Sequence, residues 1–256
     1  MIANTDEERA LLRESGRRAA KILKALGEMV QPGTTPKDID ARAWELLNAD
    51  GDKAAFYDYS SGKKGEKFPS ALCVSVNDVI VHAPASENAT PFEEGDVVKL
   101  DFGVNHKGYF SDHAITVIAG DEHDPKDREM IRAAHEALDA AIAAARVGNT
   151  TGDIGEAVER IATKYGYGYP KNLSGHGVGK EVHEEPHVPN YRDAHHDEPL
   201  KEGMVLALEP MFARGSGVVF VDSDNFSYRT RDGSRTAHVE HTVLITKDGP
   251  EILTKA

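Results

Sequence analysis

Gly33-Thr34-Thr35-Pro36-Lys37-Asp38-Ile39 returns 115 residues later as Gly148-Asn149-Thr150-Thr151-Gly152-Asp153-Ile154. Each copy lies between two stretches whose apolar residues recur at helical spacing. The first helix is predicted to begin at the capping pattern Thr5-x-x-Glu8 and to end at Gln31-Pro32-Gly33. The strongest helical pattern covers 126–147 and stops just before Gly148. The sequence therefore predicts two pairs of helices, each pair joined by the same turn.

Predicted strands repeat in the same order as the helices. Gly95 stands six residues before Asp101 in one predicted strand, and Gly203 stands six residues before Glu209 in another. The following strands also correspond, since Asp112-His113 and Glu240-His241 each precede an alternating apolar stretch. Three echoes in one order indicate an ancient duplication. We therefore expect one α+β catalytic domain over 1–256, with pseudo-symmetric helix–helix–hairpin halves of about 1–120 and 121–256 around antiparallel sheet.

Composition excludes several classes of function. Thirty Lys and Arg residues against 43 Asp and Glu residues give a formal charge of −13, which opposes a coat of nucleic acid. No apolar stretch approaches the roughly 20 residues that span a bilayer, and the acidic start MIANTDEERA is unlike a signal peptide. A single cysteine, Cys73, cannot form an internal disulfide. We expect a cytoplasmic monomer that binds neither membrane nor specific nucleic acid.

The repeated acids are the strongest chemical signal in the chain. Asp101 is predicted in a strand over 97–102, and Glu209 in one over 205–209. Their counterparts Asp112 and Glu240 belong to the neighbouring antiparallel strands, the first of which is predicted over 109–118. Carboxylates buried in apolar strands are costly unless a cation neutralises them. Four of them, with few basic residues nearby, predict two divalent ions.

A glycine-rich stretch carries the histidines. It reads Gly175-His176-Gly177-Val178-Gly179, and His183-Glu184-Glu185-Pro186-His187 follows four residues later. The second segment matches the His-Glu-x-x-His signature of zinc proteases, which requires a helix. Pro186 would break that helix from within, so we reject a single-zinc helix here. His195-His196 is predicted to lie in a surface loop.

These residues together resemble a known family. Asp101, Asp112, His176, Glu209 and Glu240 occur in the order of the five metal ligands of methionine aminopeptidases, and Gly-His-Gly-Val-Gly-x-x-x-His-Glu-Glu-Pro is similar to a motif of the wider superfamily. The stretch 234–242 resembles the closing signature of type I enzymes. The resemblance covers nearly the whole chain and implies the pita-bread fold, whose two similar halves agree with the internal repeat.

The resemblance also implies roles. Asp101 would bind one ion, Asp112 and Glu240 would bridge the two ions, and His176 and Glu209 would complete the ligand set of the other ion. The ions would be Mn, Fe, Co or Zn, and a metal-bridging hydroxide would be the nucleophile. The catalytic residues would be His82, His183 and Glu209: Glu209 carries the proton, His183 polarises the scissile amide, and His82 meets the substrate beside it.

The substrate pocket departs from the family pattern. Phe68, Cys73 and Phe226 stand at pocket-lining positions, where Phe226 replaces a common Trp. Val182 and Gly65 stand where larger aromatic residues occur, Ala83-Pro84-Ala85 follows His82, and His238 replaces a frequent Gln. The loop predicted over 52–70 contains two of these positions, Gly65 and Phe68. The metal ligands are thus intact, whereas the specificity positions have changed.

The expected activity is removal of the initiator methionine from nascent proteins whose second residue is small. The alternatives are an Xaa-Pro aminopeptidase or prolidase of the same superfamily, and a non-catalytic binding relative. The basic residues Arg13, Arg17, Lys21 and Lys24 lie along one side of the first helix. They form either a solvated face or a surface for a partner such as the ribosome.

Overall fold

The computed structural model describes residues 1–60, 66–121 and 124–255. Four helices and sixteen strands lie within these ranges. The helices are α1 Asp6–Gly27, α2 Pro36–Asp50, α3 Pro125–Ala144 and α4 Thr151–Tyr165. The strands are β1 Lys53–Ala54, β2 Cys73–Val76, β3 Val79–Val81, β4 Val97–Asp101, β5 Val104–His106, β6 Tyr109–Ser111, β7 Ala114–Ile118, β8 Ser174–Gly177, β9 Glu184–Pro189, β10 Val205–Leu208, β11 Met211–Ala213, β12 Val219–Val221, β13 Tyr228–Thr230, β14 Thr236–His238, β15 His241–Thr246 and β16 Gly249–Ile252.

The helix starts follow from capping chemistry. Thr5, Thr35 and Thr150 each accept the backbone N–H three residues on, and the residue there caps in return. Such a box satisfies two backbone donors that a helix start leaves unpaired. The capping box predicted at Thr5 is therefore confirmed, and the repeated turn places the same device at the starts of α2 and α4.

The helix ends differ from prediction by one turn or less. The first helix stops at Gly27 instead of Gln31, because Val30 reaches its buried place through a turn in which its N–H donates to the Gly27 carbonyl. The third helix stops at Ala144, and the Asn149 side chain donates to the carbonyl of that residue. Residues just beyond a helix can continue its buried face or cap its last carbonyl groups. The sequence pattern then extends past the last helical residue.

Two helix pairs cover two antiparallel sheets. One core joins α1 and α2 to the sheet of order β2-β4-β7. A second core joins α3 and α4 to the five-stranded sheet of order β16-β15-β10-β8-β9. Smaller sheets of order β1-β5-β6, β12-β13-β3 and β11-β14 complete the described fold. The α+β class is confirmed, whereas the assignment of 1–256 to one domain with two duplicated halves stays a prediction.

The predicted strand over 109–118 is wrong as one element. It divides into β6 and β7, which belong to different sheets and are separated by Asp112 and His113. The Asp112 N–H donates to Thr242 Oγ1 at 2.8 Å, and the Thr242 hydroxyl donates to the Asp112 carbonyl at 2.7 Å. These bonds from the second half of the chain replace the sheet pairing of Asp112. Glu209 likewise lies just after β10 rather than within it.

The break determines where the acids lie. Asp101 ends β4, and Asp112 precedes its antiparallel neighbour β7. Glu209 follows β10, and Glu240 precedes the antiparallel neighbour β15. All four acids therefore lie at strand ends. No helix among the described residues is long and apolar enough to cross a membrane.

Candidate metal centre and its cavity

All ten side chains predicted for the site line one cavity. Its volume is about 630 Å³, and strands from both helix-covered sheets reach it. The cavity has an acidic end and an aromatic end. The predicted residues that line it are Phe68, Cys73, His82, Asp101, Asp112, His176, His183, Glu209, Phe226 and Glu240.

Three acids form the first cluster at the acidic end. One oxygen from each of Asp101, Asp112 and Glu240 lies within 4.8 Å of the others. The three side chains are buried, with only 2–7% of each residue exposed. Within the described part of the chain, Asp101 Oδ1 and Glu240 Oε1 have no hydrogen-bond partner. Buried carboxylate oxygens without a donor indicate a site for a cation.

A second cluster adds nitrogen to the oxygen donors. His176, Glu209 and Glu240 also offer ligand atoms within 4.8 Å of one another. His176 Nε2 lies 3.6 Å from Glu209 Oε1 and 3.8 Å from Asp112 Oδ2. The other ring nitrogen, Nδ1, is 2.9 Å from the Gly177 carbonyl, which requires a hydrogen on Nδ1. That tautomer leaves the Nε2 lone pair free for a metal ion.

The raised pKa values of these acids and the lack of basic partners in the described ranges also favour a cation site. Burial raises the pKa of Asp112 to about 7. Burial and the neighbouring carboxylates raise the pKa values of Asp101, Glu209 and Glu240 well above their usual range. No Lys or Arg among the described residues forms an ion pair with these four acids. Oxygen-rich donors with one imidazole fit divalent ions, which would neutralise this charge.

Two more histidines overlook the clusters. The His183 ring lies 4.4 Å from the His176 ring and 4.8 Å from the Tyr59 ring, measured between centroids. His82 follows β3 with a left-handed φ of +64°, and its ring meets the Tyr228 ring edge-on at 5.6 Å. Desolvation lowers the pKa of both histidines, that of His82 to about 4. Both are therefore neutral near pH 7 and can donate one hydrogen bond.

The segment that resembles a zinc-protease helix is a strand. Glu184 to His187 lie in β9, where His187 pairs with His176 across the antiparallel register. No helix covers 183–187, and His183 lies just before the strand, so the two histidines are not brought together by one helical turn as the signature requires. The rejection of a single-zinc helix is confirmed. His195 is exposed in the loop after β9, as predicted.

Aromatic side chains build the other end of the cavity. The Phe68 ring meets the Phe226 ring edge-on at 5.5 Å and the Phe56 ring at 6.4 Å. Cys73 and Val182 belong to the same apolar cluster. Burial raises the pKa of the Cys73 thiol, so it stays protonated and behaves as a small apolar group. This end of the cavity is therefore lined mainly by apolar groups.

Sequence reasoning missed part of the lining. Phe56, Tyr59 and Tyr228 face the cavity, and so do Glu66, Val221 and Asn225. The available signal was the concentration of aromatic residues in the loop predicted over 52–70. That loop contains the short strand β1, and Gly65 lies outside the described residues.

The basic residues of α1 lie away from this cavity. Arg13 forms two hydrogen bonds with Glu251, at 2.7 and 2.9 Å, and Arg17 pairs with Glu14. Lys21 and Lys24 are exposed. Two of the four charges are thus neutralised by the protein's own acids.

Comparison with known proteins identifies relatives along nearly the whole chain. Residues 10–247 match the model of metallopeptidase family M24. The methionine aminopeptidase of Aquifex aeolicus is 42% identical over 247 residues, which is 95% of each chain. That of Clostridium acetobutylicum is 34% identical over 99% of this chain and 98% of its own.

Solved structures agree with the sequence relatives. The methionine aminopeptidase of Thermotoga maritima superposes with a TM-score of 0.93 at 36% identity, over the full length of both chains. The prolidase of Pyrococcus horikoshii gives a TM-score of 0.78 at 26% identity, and this chain covers 64% of it. The shared architecture is the pita-bread fold expected from the sequence.

Proposed function

The chain belongs to metallopeptidase family M24, and we propose that it removes the N-terminal methionine from polypeptides by metal-dependent hydrolysis. The observation that carries this function is the convergence of Asp101, Asp112, His176, Glu209 and Glu240 at one end of the cavity. Relatives matching almost end to end are methionine aminopeptidases. The prolidase alternative has less support, because this chain spans only part of the prolidase length.

The donor set supports two divalent ions. Asp101, Asp112 and Glu240 would hold one, and His176, Glu209 and Glu240 would hold the other, with Asp112 near both. When bound, such ions lower the pKa of water towards neutrality and polarise a carbonyl oxygen. Mn, Fe, Co and Zn all suit these ligands. All five ligand residues are present, which argues against a non-catalytic relative.

The aromatic end supports methionine as the residue removed. A thioether is flexible and polarisable, and its sulfur packs well against the edges of aromatic rings. Phe68 and Phe226 present two rings at right angles, with the Cys73 thiol beside them. We expect a small second residue, as the family resemblance implies.

The remaining cavity side chains would orient the substrate and transfer protons. His183, held between Tyr59 and His176, is placed to donate a hydrogen bond to the oxygen of the scissile amide. His82 would contact the substrate beside that bond. Glu209, which lines the cavity beside His176, would carry a proton to the leaving amine, as the family resemblance implies.

The setting of the enzyme completes the proposal. Residues 1–256 would act as one catalytic unit of two related halves, monomeric and cytoplasmic, on the N-termini of nascent chains. If the ribosome is a partner, exposed Lys21 and Lys24 on α1 are the candidate contacts, because Arg13 and Arg17 are already paired.

Release of methionine from Met-Ala-Ser tests the proposal. The protein, stripped of metal and reloaded separately with Mn, Fe, Co or Zn, should release free methionine with at least one ion. Asp101→Ala should abolish release, whereas Asp139→Ala, a change at an exposed acid of α3, should not. Absence of release with all four metals would contradict the assignment.

A further inference from the structure

His238 is a buried histidine without a role in the mechanism above. It ends β14, only 1% of its surface is exposed, and it does not line the cavity. Neither ring nitrogen has a hydrogen-bond partner among the residues that the structure describes. A buried polar group without a partner costs free energy, so an apolar residue would serve better if the site needed only filling.

A proposed metal ligand lies close to this ring. His238 Nε2 lies 3.3 Å from Glu209 Oε2, while the other oxygen, Oε1, lies 3.6 Å from His176 Nε2. The Glu209 carboxylate is thus placed between two imidazoles, one facing each oxygen. A separation of 3.3 Å is within reach of a hydrogen bond when the ring N–H points at the carboxylate oxygen.

The backbone of His238 is fixed more firmly than its ring. Its N–H donates to Thr116 Oγ1 at 3.0 Å, and the Thr116 hydroxyl donates to its carbonyl at 2.6 Å. Its register partner in β11 is Met211, two residues after Glu209. The ring and the carboxylate therefore approach each other from two paired strands whose register is set.

We propose that His238 is a positioning residue that donates its Nε2–H to Glu209 Oε2 and so reserves Oε1 for the metal ion. Without this donor, the carboxylate could rotate and present either oxygen, or both, to the ion. Outer partners of metal ligands commonly change metal affinity or activity about 10–100-fold when removed. The inference deepens the proposed function, and it rests on that function only for the kinetic measurement.

Two substitutions separate donation from packing. His238→Leu fills the space without a donor, and His238→Gln keeps an N–H donor on a flexible chain. His238→Met replaces the leucine variant if that variant does not fold. His195→Leu, at an exposed loop position, is the matched control.

We expect His238→Leu to lower kcat for Met-Ala-Ser about 10–100-fold while KM changes less than about threefold. Its Co(II)-loaded form should show an altered visible d–d spectrum and weaker Co(II) binding by calorimetry. The metal-free variant should unfold no earlier than the metal-free wild type, because an unpaired polar group has been removed. His238→Gln should stay within about fivefold of wild type in kcat and keep its Co(II) spectrum.

Two results would overturn the proposal: a wild-type Co(II) spectrum and affinity in His238→Leu, or equal impairment in the Gln and Leu variants. The second result would mean that imidazole shape, not donation, matters. If the wild type releases no methionine, the proposed function fails, yet the Co(II) measurements still decide the positioning role.

Discussion

Replacement of Asp101 by Asn should leave the metal-free protein at least as stable as the wild type and should reduce the stabilisation that bound metal provides. Asp101 is 7% exposed, its Oδ1 has no donor, and its pKa is raised by burial and by the Asp112 charge. The neutral amide removes that charge at almost constant volume. The metal-free variant should therefore be at least as stable as the metal-free wild type.

With metal bound, the wild type should gain more stability than the Asp101→Asn variant. An ion that binds only the folded state adds about 2.7 kcal/mol when its free concentration is 100 times its Kd. For a chain of this length, 1 kcal/mol corresponds to about 2–4 °C in Tm. Each ion should thus raise the Tm of the wild type by about 5–10 °C. Asp101→Asn disrupts the cluster of Asp101, Asp112 and Glu240 but leaves that of His176, Glu209 and Glu240, so about half of the rise should remain.

The assay is calorimetric unfolding in EDTA and in a Mn(II) titration, with bound metal counted on the same samples. Asp139→Asn, a substitution of the same chemistry at an exposed position, should match the wild type throughout. Two bound ions and a full Tm rise in Asp101→Asn would refute the ligand role of Asp101. A metal-free variant well below the wild type in Tm would refute the argument from buried charge.

Three further outcomes are expected. Without metal, the free energy of unfolding of the wild type relative to that of Asp112→Asn should fall as pH rises from about 4 to about 7, because the folded wild type retains the Asp112 proton, whose pKa burial raises to about 7, while the unfolded chain loses it. Both proteins carry the same histidines, whose lowered pKa values act in the opposite direction, so the difference between them isolates Asp112. Urea titrations of the two proteins in EDTA measure this difference, and a difference that stays constant or grows with pH would contradict the reasoning. Phe226→Ala should raise KM for Met-Ala-Ser about tenfold while kcat stays within about threefold, because the apolar wall contributes to substrate binding. Phe220→Ala, at an exposed position, is the control. An unchanged KM in Phe226→Ala would mean that Phe226 does not belong to the substrate pocket. Thr150→Ala should lower the free energy of unfolding by about 1 kcal/mol, because the capping box is lost. Thr163→Ala, at an exposed position within α4, should not lower it. Urea unfolding measures both values, and equal effects would contradict the capping argument.

Local chemistry made the helices and the ligand residues predictable. Capping residues and helical spacing are properties of neighbouring residues, so the starts of α1 and α2 follow from Thr5 and Thr35. The acids were recognisable because a carboxylate within an apolar strand is costly wherever the strand lies. Their convergence in one cavity agrees with that reasoning.

Long-range contacts account for what the sequence did not reveal. The strand break at Asp112 depends on Thr242, 130 residues away, and no local pattern encodes that pairing. The wall formed by Tyr59 and Phe56 depends on how an irregular loop folds over the cavity. The contact between His238 and Glu209 depends on the pairing of β11 with β14. In each case the sequence identifies the type of residue, but only the fold identifies the residue that it contacts.

The most direct test of metal-dependent methionine removal is a competition among Met-Ala-Ser, Leu-Ala-Ser and Ala-Pro-Ser in one reaction, followed by mass spectrometry. The aromatic end of the cavity and the acidic end together predict that the metal-loaded protein consumes Met-Ala-Ser at least about tenfold faster than either competitor, and that EDTA stops the reaction. Faster consumption of Ala-Pro-Ser, or equal consumption of all three peptides, would contradict the account.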